Sequence, residues 1–151
     1  MYKLYIEENT TTDNFLKKVL NENNIYEYDI IKNKYGKKYL KTNELYFNIS
    51  NKDNITVIAI SDKEIGVDIE SIKYNSSILN TICTKSEKEN ILNSLDKENV
   101  FTKMWTMKES YVKMLGMGLK YDLKKVDTIA LKNKFIIKKY KNYIISISIF
   151  C

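Results

Sequence analysis

Two short stretches hold side chains whose types and spacing could do chemistry. The first is Ile65-Gly66-Val67-Asp68-Ile69-Glu70. On an extended strand alternate residues share a face, so Ile65, Val67 and Ile69 would turn toward a core. Asp68 and Glu70 would both point the other way, with their Cα atoms roughly 6–7 Å apart. Carboxylates so placed repel unless a positive group lies between them. A hard divalent cation such as Mg²⁺, which takes oxygen ligands and shares them with phosphates, is one such group. Gly66 leaves room for another backbone or a phosphate to come close. The ordinary alternative is the solvated face of an edge strand.

The second stretch is Trp105-Thr106-Met107-Lys108-Glu109-Ser110-Tyr111-Val112-Lys113. On a helix, Trp105, Glu109 and Lys113 follow at four-residue intervals and share a side. Glu109 could lean toward a metal and Lys113 toward a phosphate. A plain surface pair of Glu and Lys would show the same spacing and contribute only a few tenths of a kcal/mol.

Positioning these residues takes strands, then helices, then strands. Tyr2, Leu4 and Ile6 alternate with Lys3 and Tyr5, which predicts a first strand. Thr12 or Asp13 can cap a short helix whose apolar face is Phe15, Leu16, Val19 and Leu20. A hairpin-like basic stretch follows around Gly36, with Lys32, Lys34, Lys37, Lys38 and Lys41. Strands are predicted over 45–49, 55–61 and 65–69, with turns at 51–54 and 62–64. Ser86 and Glu89 have capping-box spacing ahead of Ile91, Leu92 and Leu95. A longer helix is predicted from Glu98 to Leu115, with the stripe Phe101, Met104, Trp105, Val112 and Leu115 and a stop at Gly116. Two strands near 135–139 and 143–150 close the chain. This order indicates an α+β fold with antiparallel sheet.

Composition sets the outer limits. The chain has 151 residues, 44% hydrophobic and 29% charged, enough for one domain with a core. Its formal charge of +6 attracts anions: nucleic acid, acidic membrane, phosphorylated cofactors or acidic proteins. No histidine occurs in the sequence, which excludes a Ser-His-Asp triad and a His-ligated zinc. Cys83 and Cys151 have neither metal-ligand nor redox spacing. No apolar run reaches membrane-spanning length, and the first residues lack the apolar core of a signal peptide. The expectation is a cytoplasmic protein with no membrane partner.

Together the two stretches resemble the 4′-phosphopantetheinyl transferase superfamily. That family carries a strand motif close to (I/V)G(I/V)D(I/V)E and, some forty residues on, a helix motif close to (W/F)(S/T/A)xKE(S/A)xxK. Here they read IGVDIE and WTMKESYVK, and the helix motif runs on into LGMGL. The surfactin-synthetase-type branch adds upstream signatures that resemble GKPY and FNISHS. Gly36-Lys37-Lys38-Tyr39 and Phe47-Asn48-Ile49-Ser50-Asn51-Lys52 stand in their places.

The resemblance implies a fold of antiparallel sheets packed with helices, in two pseudo-symmetric halves within one domain, here about 1–61 and 62–151. It implies transfer of the phosphopantetheine arm of coenzyme A to a carrier-protein serine, with release of adenosine 3′,5′-bisphosphate. Asp68, Glu70 and Glu109 would hold Mg²⁺. Lys113 would contact the pyrophosphate, and Lys37 and Ser50 the nucleotide phosphates. Lys108 would bind phosphate or support the site. Glu109 or a metal-activated water would accept the serine proton. The expected partner is an acyl, peptidyl or polyketide carrier protein, usually acidic, with no nucleic acid, and the chain is expected to act as a monomer.

The chain departs from the pattern in three places. Asn51 stands where the family has a phosphate-contacting histidine; it can donate a hydrogen bond but carries no charge. Lys38 replaces the proline of GKPY. The stretch before Gly36 is short, which makes this an unusually short member of its branch. Two rival readings follow: a non-catalytic relative that binds coenzyme A or a carrier, and a basic nucleic-acid module built on Tyr35, Tyr39 and the nearby lysines.

Overall fold

The protein is described by a computed structural model over residues 1–42 and 45–150, with the side chain of Leu119 left aside. Cys151 lies outside the described residues. Strands β1 (Tyr2–Glu8), β5 (Ile55–Ser61) and β4 (Tyr46–Lys52) form one antiparallel sheet in that order. Strands β6 (Ile65–Ser71), β8 (Tyr143–Ile149) and β7 (Phe135–Tyr140) form a second. Both sheets are laid down alike. An edge strand comes first, a helical crossing follows, and a hairpin returns with its last strand in the centre. This is the expected α+β architecture. The consecutive strands β5 and β6, however, enter different sheets, which alternation alone does not reveal.

The sheets pack face to face. Leu4, Ile6, Val57 and Ala59 meet Val67, Ile69, Ile145 and Ile147 in a dry layer. The other face of the first sheet is also apolar. There Phe47, Ile58 and Ile60 receive Phe15, Leu16, Val19 and Leu20 of helix α1 (Thr12–Glu22). The helix starts one residue earlier than expected, because the Thr11 hydroxyl accepts the Asn14 N–H at 3.3 Å. A hairpin of β2 (Ile30–Lys32) and β3 (Lys38–Leu40) confirms the expected turn around Gly36.

The second crossing is longer: α2 (Leu79–Ile82), α3 (Lys85–Leu92) and α4 (Lys97–Leu115). The capping box of α3 is Thr84 with Glu87, not Ser86 with Glu89. Thr84 is the residue whose hydroxyl reaches the N3 amide and whose own amide reaches the Glu87 carboxylate. Ile91 is buried behind it, whereas Leu92 and Leu95 are exposed. Asp96 caps α4, and Gly116 ends it in the left-handed conformation at φ 64°.

Helix α4 buries two faces. One carries the foreseen Phe101 and Met104, packed on Leu79, Ile82 and Ile91. The other, Thr102, Thr106, Ser110 and Met114, repeats at four-residue intervals and lies on the second sheet. The Ser110 hydroxyl is 3.2 Å from that of Ser146 and 2.8 Å from that of Ser148. Thr106 and Ser110 also donate to carbonyls of the preceding turn, Thr102 and Met107, so these buried hydroxyls are satisfied. Among the described residues no helix is long and apolar enough to cross a membrane.

Candidate active site

The seating of α4 on β6 is what builds the site. A Cβ at Gly66 would stand 1.9 Å from the Ser110 carbonyl oxygen and 2.4 Å from the Met114 amide nitrogen. Only glycine lets the helix backbone come this close. Lys113, one turn past Glu109, then reaches Asp68: its Nζ is 2.7 Å from Asp68 Oδ1 and 2.9 Å from the Ser50 hydroxyl. Ser50 in turn donates to the same Asp68 oxygen at 3.0 Å. Although β6 is an edge strand of its sheet, β4 covers it, and the Asn48 side-chain oxygen accepts the Val67 N–H at 2.9 Å. Asp68 is therefore only 5% exposed, and the solvated-edge alternative does not describe it. Its second oxygen, Oδ2, is buried with no hydrogen-bond partner.

The charges near Asp68 strain against one another. Burial pushes the Asp68 carboxyl up and Glu70 adds to this, against the pull of Lys113 and Ser50. Glu109 is half-buried and is also raised, first by burial and then by the negative charge of Asp68. Burial acts the same way on Glu70, but hydrogen bonds from Lys52 and Lys73 outweigh it and hold that carboxyl below its ordinary value. Lys52 stands 2.9 Å and Lys73 3.1 Å from Glu70. Lysine ammoniums thus supply the positive charge that two of the three carboxylates need. Among the described residues no group of three acidic or cysteine side chains is gathered tightly enough to hold an ion as it stands. An unpartnered buried oxygen, a raised neighbour and an all-oxygen donor set nonetheless fit a hard cation such as Mg²⁺.

Two clefts adjoin these residues. One, of about 210 Å³ and mainly apolar, is lined by Glu109, Val112, Lys113, Gly118, Tyr121 and Leu123. The other, of about 220 Å³ and mainly polar, lies among Thr12, Gly36, Lys38, Asn48 and Asn51. A larger apolar cavity of about 400 Å³ sits among Ile91, Met104, Met107 and Ile129 and shares no lining residue with either.

A strand motif and a helix motif in contact through one glycine can be compared with known families. The model of the 4′-phosphopantetheinyl transferase superfamily matches residues 64–147, which include both motifs. The chain belongs to this superfamily. It is similar to an L-aminoadipate-semialdehyde dehydrogenase-phosphopantetheinyl transferase of Candida glabrata, 34% identical over 115 residues, which cover 68% of this chain and 45% of that protein. It is also similar to the 4′-phosphopantetheinyl transferase gsp of Aneurinibacillus migulanus, 34% identical over 102 residues, covering 66% of this chain and 41% of that one. A third relative is the 4′-phosphopantetheinyl transferase Sfp of Bacillus subtilis strain 168, 34% identical over 84 residues, covering 53% and 37%. The match therefore spans less than half the length of each of these relatives.

Within this phosphopantetheinyl transferase relative, the carried-over residues fall into two groups. Asp68, Ser50 and Lys113 are in direct contact, with Glu70 near enough to raise Asp68, and both Asp68 and Glu70 near enough to raise Glu109. Lys37 is not a free phosphate ligand. Its side chain is 5% exposed, and its ammonium donates to Glu64 and to the carbonyls of Ile65 and Met114. It caps the last turn of α4, where a cation meets the negative end of the helix. Lys108 is buried completely and pairs with Glu87 at 2.8 Å while donating to the carbonyls of Leu123 and Val126. All three of its protons meet protein acceptors, which leaves none for a phosphate in this arrangement. Ser50 spends its proton on Asp68 rather than facing a ligand. Asn51 is exposed on the polar cleft, with its carbonyl taken by Thr56 at 2.7 Å and Thr12 at 3.4 Å.

Sequence reasoning missed several contributors. Asn33 donates to the Gly116 carbonyl at 2.8 Å and accepts the Lys37 N–H at 3.0 Å, tying the basic hairpin to the end of α4. Lys52 and Lys73 were not distinguishable from surface lysines. Glu87 joins α3, Lys108 and the Thr128 amide in one buried hub. The capping box expected at Ser86 and Glu89 passed over the local bond of Glu87, and nothing local signalled the distant ones.

Proposed function

We propose that this chain transfers the 4′-phosphopantetheine arm of coenzyme A to a serine of an apo carrier protein. The observation that carries the reading is the buried, unpartnered Asp68 Oδ2 beside Glu109 and Glu70, at the contact of the two superfamily motifs. Asp68, Glu70 and Glu109 would hold Mg²⁺, which when bound supplies Lewis-acid polarisation of the pyrophosphate. Lys113 offers an ammonium proton beyond the two it spends on Asp68 and Ser50, and this meets a pyrophosphate oxygen. Glu109, raised by burial and by the charge of Asp68, accepts the proton of the attacking serine. The serine oxygen bonds to the β-phosphorus, the bond from that phosphorus to the bridging oxygen breaks, and adenosine 3′,5′-bisphosphate leaves. Val112, Tyr121 and Leu123 suit the apolar arm. The polar cleft suits the nucleotide end, with Lys38 and Asn51 in reach of its phosphates.

We read the chain as one domain with halves meeting near residues 61 and 62. We read it as active as a monomer, since one chain supplies the whole constellation. The lysines seated on Asp68 and Glu70 favour a second reading, a binder of coenzyme A that does not turn over. The intact mass of apo carriers of fatty-acid, polyketide and peptide type, after incubation with coenzyme A and Mg²⁺, separates the two. A gain of one phosphopantetheine arm, lost with EDTA and in Glu109→Gln, is expected. Coenzyme A binding with no mass gain on any carrier would establish the binder instead.

A further inference from the structure

An open groove of about 570 Å³ lies beside the Glu109 cleft, lined by Lys34, Tyr35, Met117, Gly118 and Lys120. Gly118 lines both, so the two are neighbours. Tyr35 and Met117, the large apolar groups of its lining, are exposed at 37% and 38%. The charged residues lining the groove are lysines, and Lys34 lies over the Tyr35 ring at 5.0 Å.

The floor of the groove is tied together by close contacts. Gly118 adopts φ 62°, and a Cβ there would lie 3.3 Å from Tyr35, so the turn after α4 rests on the β2–β3 turn. Asn33 and Lys37 join the same two segments through Gly116 and Met114. These contacts brace the surface, and a braced surface has a lower ordering cost of docking a partner.

We infer that this groove docks the macromolecular substrate, an acidic carrier protein, with an apolar side chain between Tyr35 and Met117 and carboxylates on Lys34 and Lys120. Charge complementarity and the groove's place beside the reactive cleft select this occupant. A partner seated here holds its acceptor serine within reach of Glu109 and Lys113. The two lysines speed encounter and make it sensitive to salt. The inference rests on the proposed transfer activity but assigns residues outside its chemistry.

The test is fluorescence anisotropy of a labelled apo acyl carrier protein against the full chain, beside a labelled single-stranded RNA. Wild type is compared with Lys34→Glu/Lys120→Glu and with Met117→Ser, each checked for an unchanged unfolding midpoint. Charge reversal is expected to weaken carrier binding about tenfold or more and to flatten its salt dependence, as loss of complementary interface charge does. Coenzyme A binding is expected to stay at the wild-type value. Carrier affinity unchanged in both variants, no carrier binding by wild type, or tighter binding of the RNA than of the carrier would each overturn the docking assignment. A carrier that binds through the groove yet gains no mass would instead overturn the transfer reading and leave the groove standing.

Discussion

The two sheets share a topology but cover their outer faces by opposite means. The first seats α1 with large apolar side chains, Phe15, Leu16, Val19 and Leu20 against Phe47, Ile58 and Ile60. The second seats α4 with Gly66, Ser110, Ser146 and Ser148, where small hydroxyls replace hydrocarbon. Bulk holds α1 away from its strands and yields stability from buried apolar area. Small residues bring α4 backbone against β6, and the gain is position. Glu109 and Lys113 come within reach of Asp68, at the cost of half-buried like charges. One crossing stabilises the protein and the other spends stability on a site.

That contrast can be broken most severely at Gly66. Gly66→Val should remove the soluble folded protein, because its side chain meets helix backbone that cannot move aside. A cooperative unfolding transition near wild type would show that α4 is not seated as described.

Phe47→Ala should be the next largest. It should cost about 3–5 kcal/mol, read as a lower urea midpoint with an unchanged slope, the usual loss for a buried phenylalanine. An unchanged midpoint would show that the packing of α1 on the first sheet does not hold the protein together as described.

Glu109→Gln should have the smallest effect on stability, and of opposite sign. In the folded chain Glu109 binds its proton up to a higher pH than an ordinary glutamate does. The native state therefore holds more protons than the unfolded one between those two values, and stability falls as pH rises through that window. Glutamine removes this term. The variant should unfold a few degrees higher at pH 7 and show a flatter midpoint-versus-pH curve from pH about 4.5 upward. A lower melting point at pH 7 would mean that the Glu109 charge is compensated rather than strained.

Local rules read much of this protein correctly. Strand alternation, the α1 face, the Gly116 stop and the antiparallel α+β order all follow from nearest-neighbour chemistry. The capping errors were small for the same reason: Thr11, Thr84 and their neighbours offer near-equivalent hydroxyls, and backbone geometry chooses among them. The stripe Thr102-Thr106-Ser110 escaped notice because hydropathy scores it as solvent-facing, although it is buried against a sheet of matching small residues.

The sequence by itself determined the superfamily motifs, the sign of the charge, the absence of histidine chemistry and the acidic set Asp68, Glu70 and Glu109. Only the tertiary structure decided which lysines remain available. Lys37, Lys108 and Lys113 are alike in sequence, yet the first caps a helix, the second pairs with Glu87 and the third faces the site. The reason is reach. An ammonium on four methylenes takes whichever carboxylate or carbonyl the fold brings near it. Those partners lie 27, 28 or 77 residues from Lys37, and 15, 18 or 21 from Lys108, distances in the chain that no local pattern encodes.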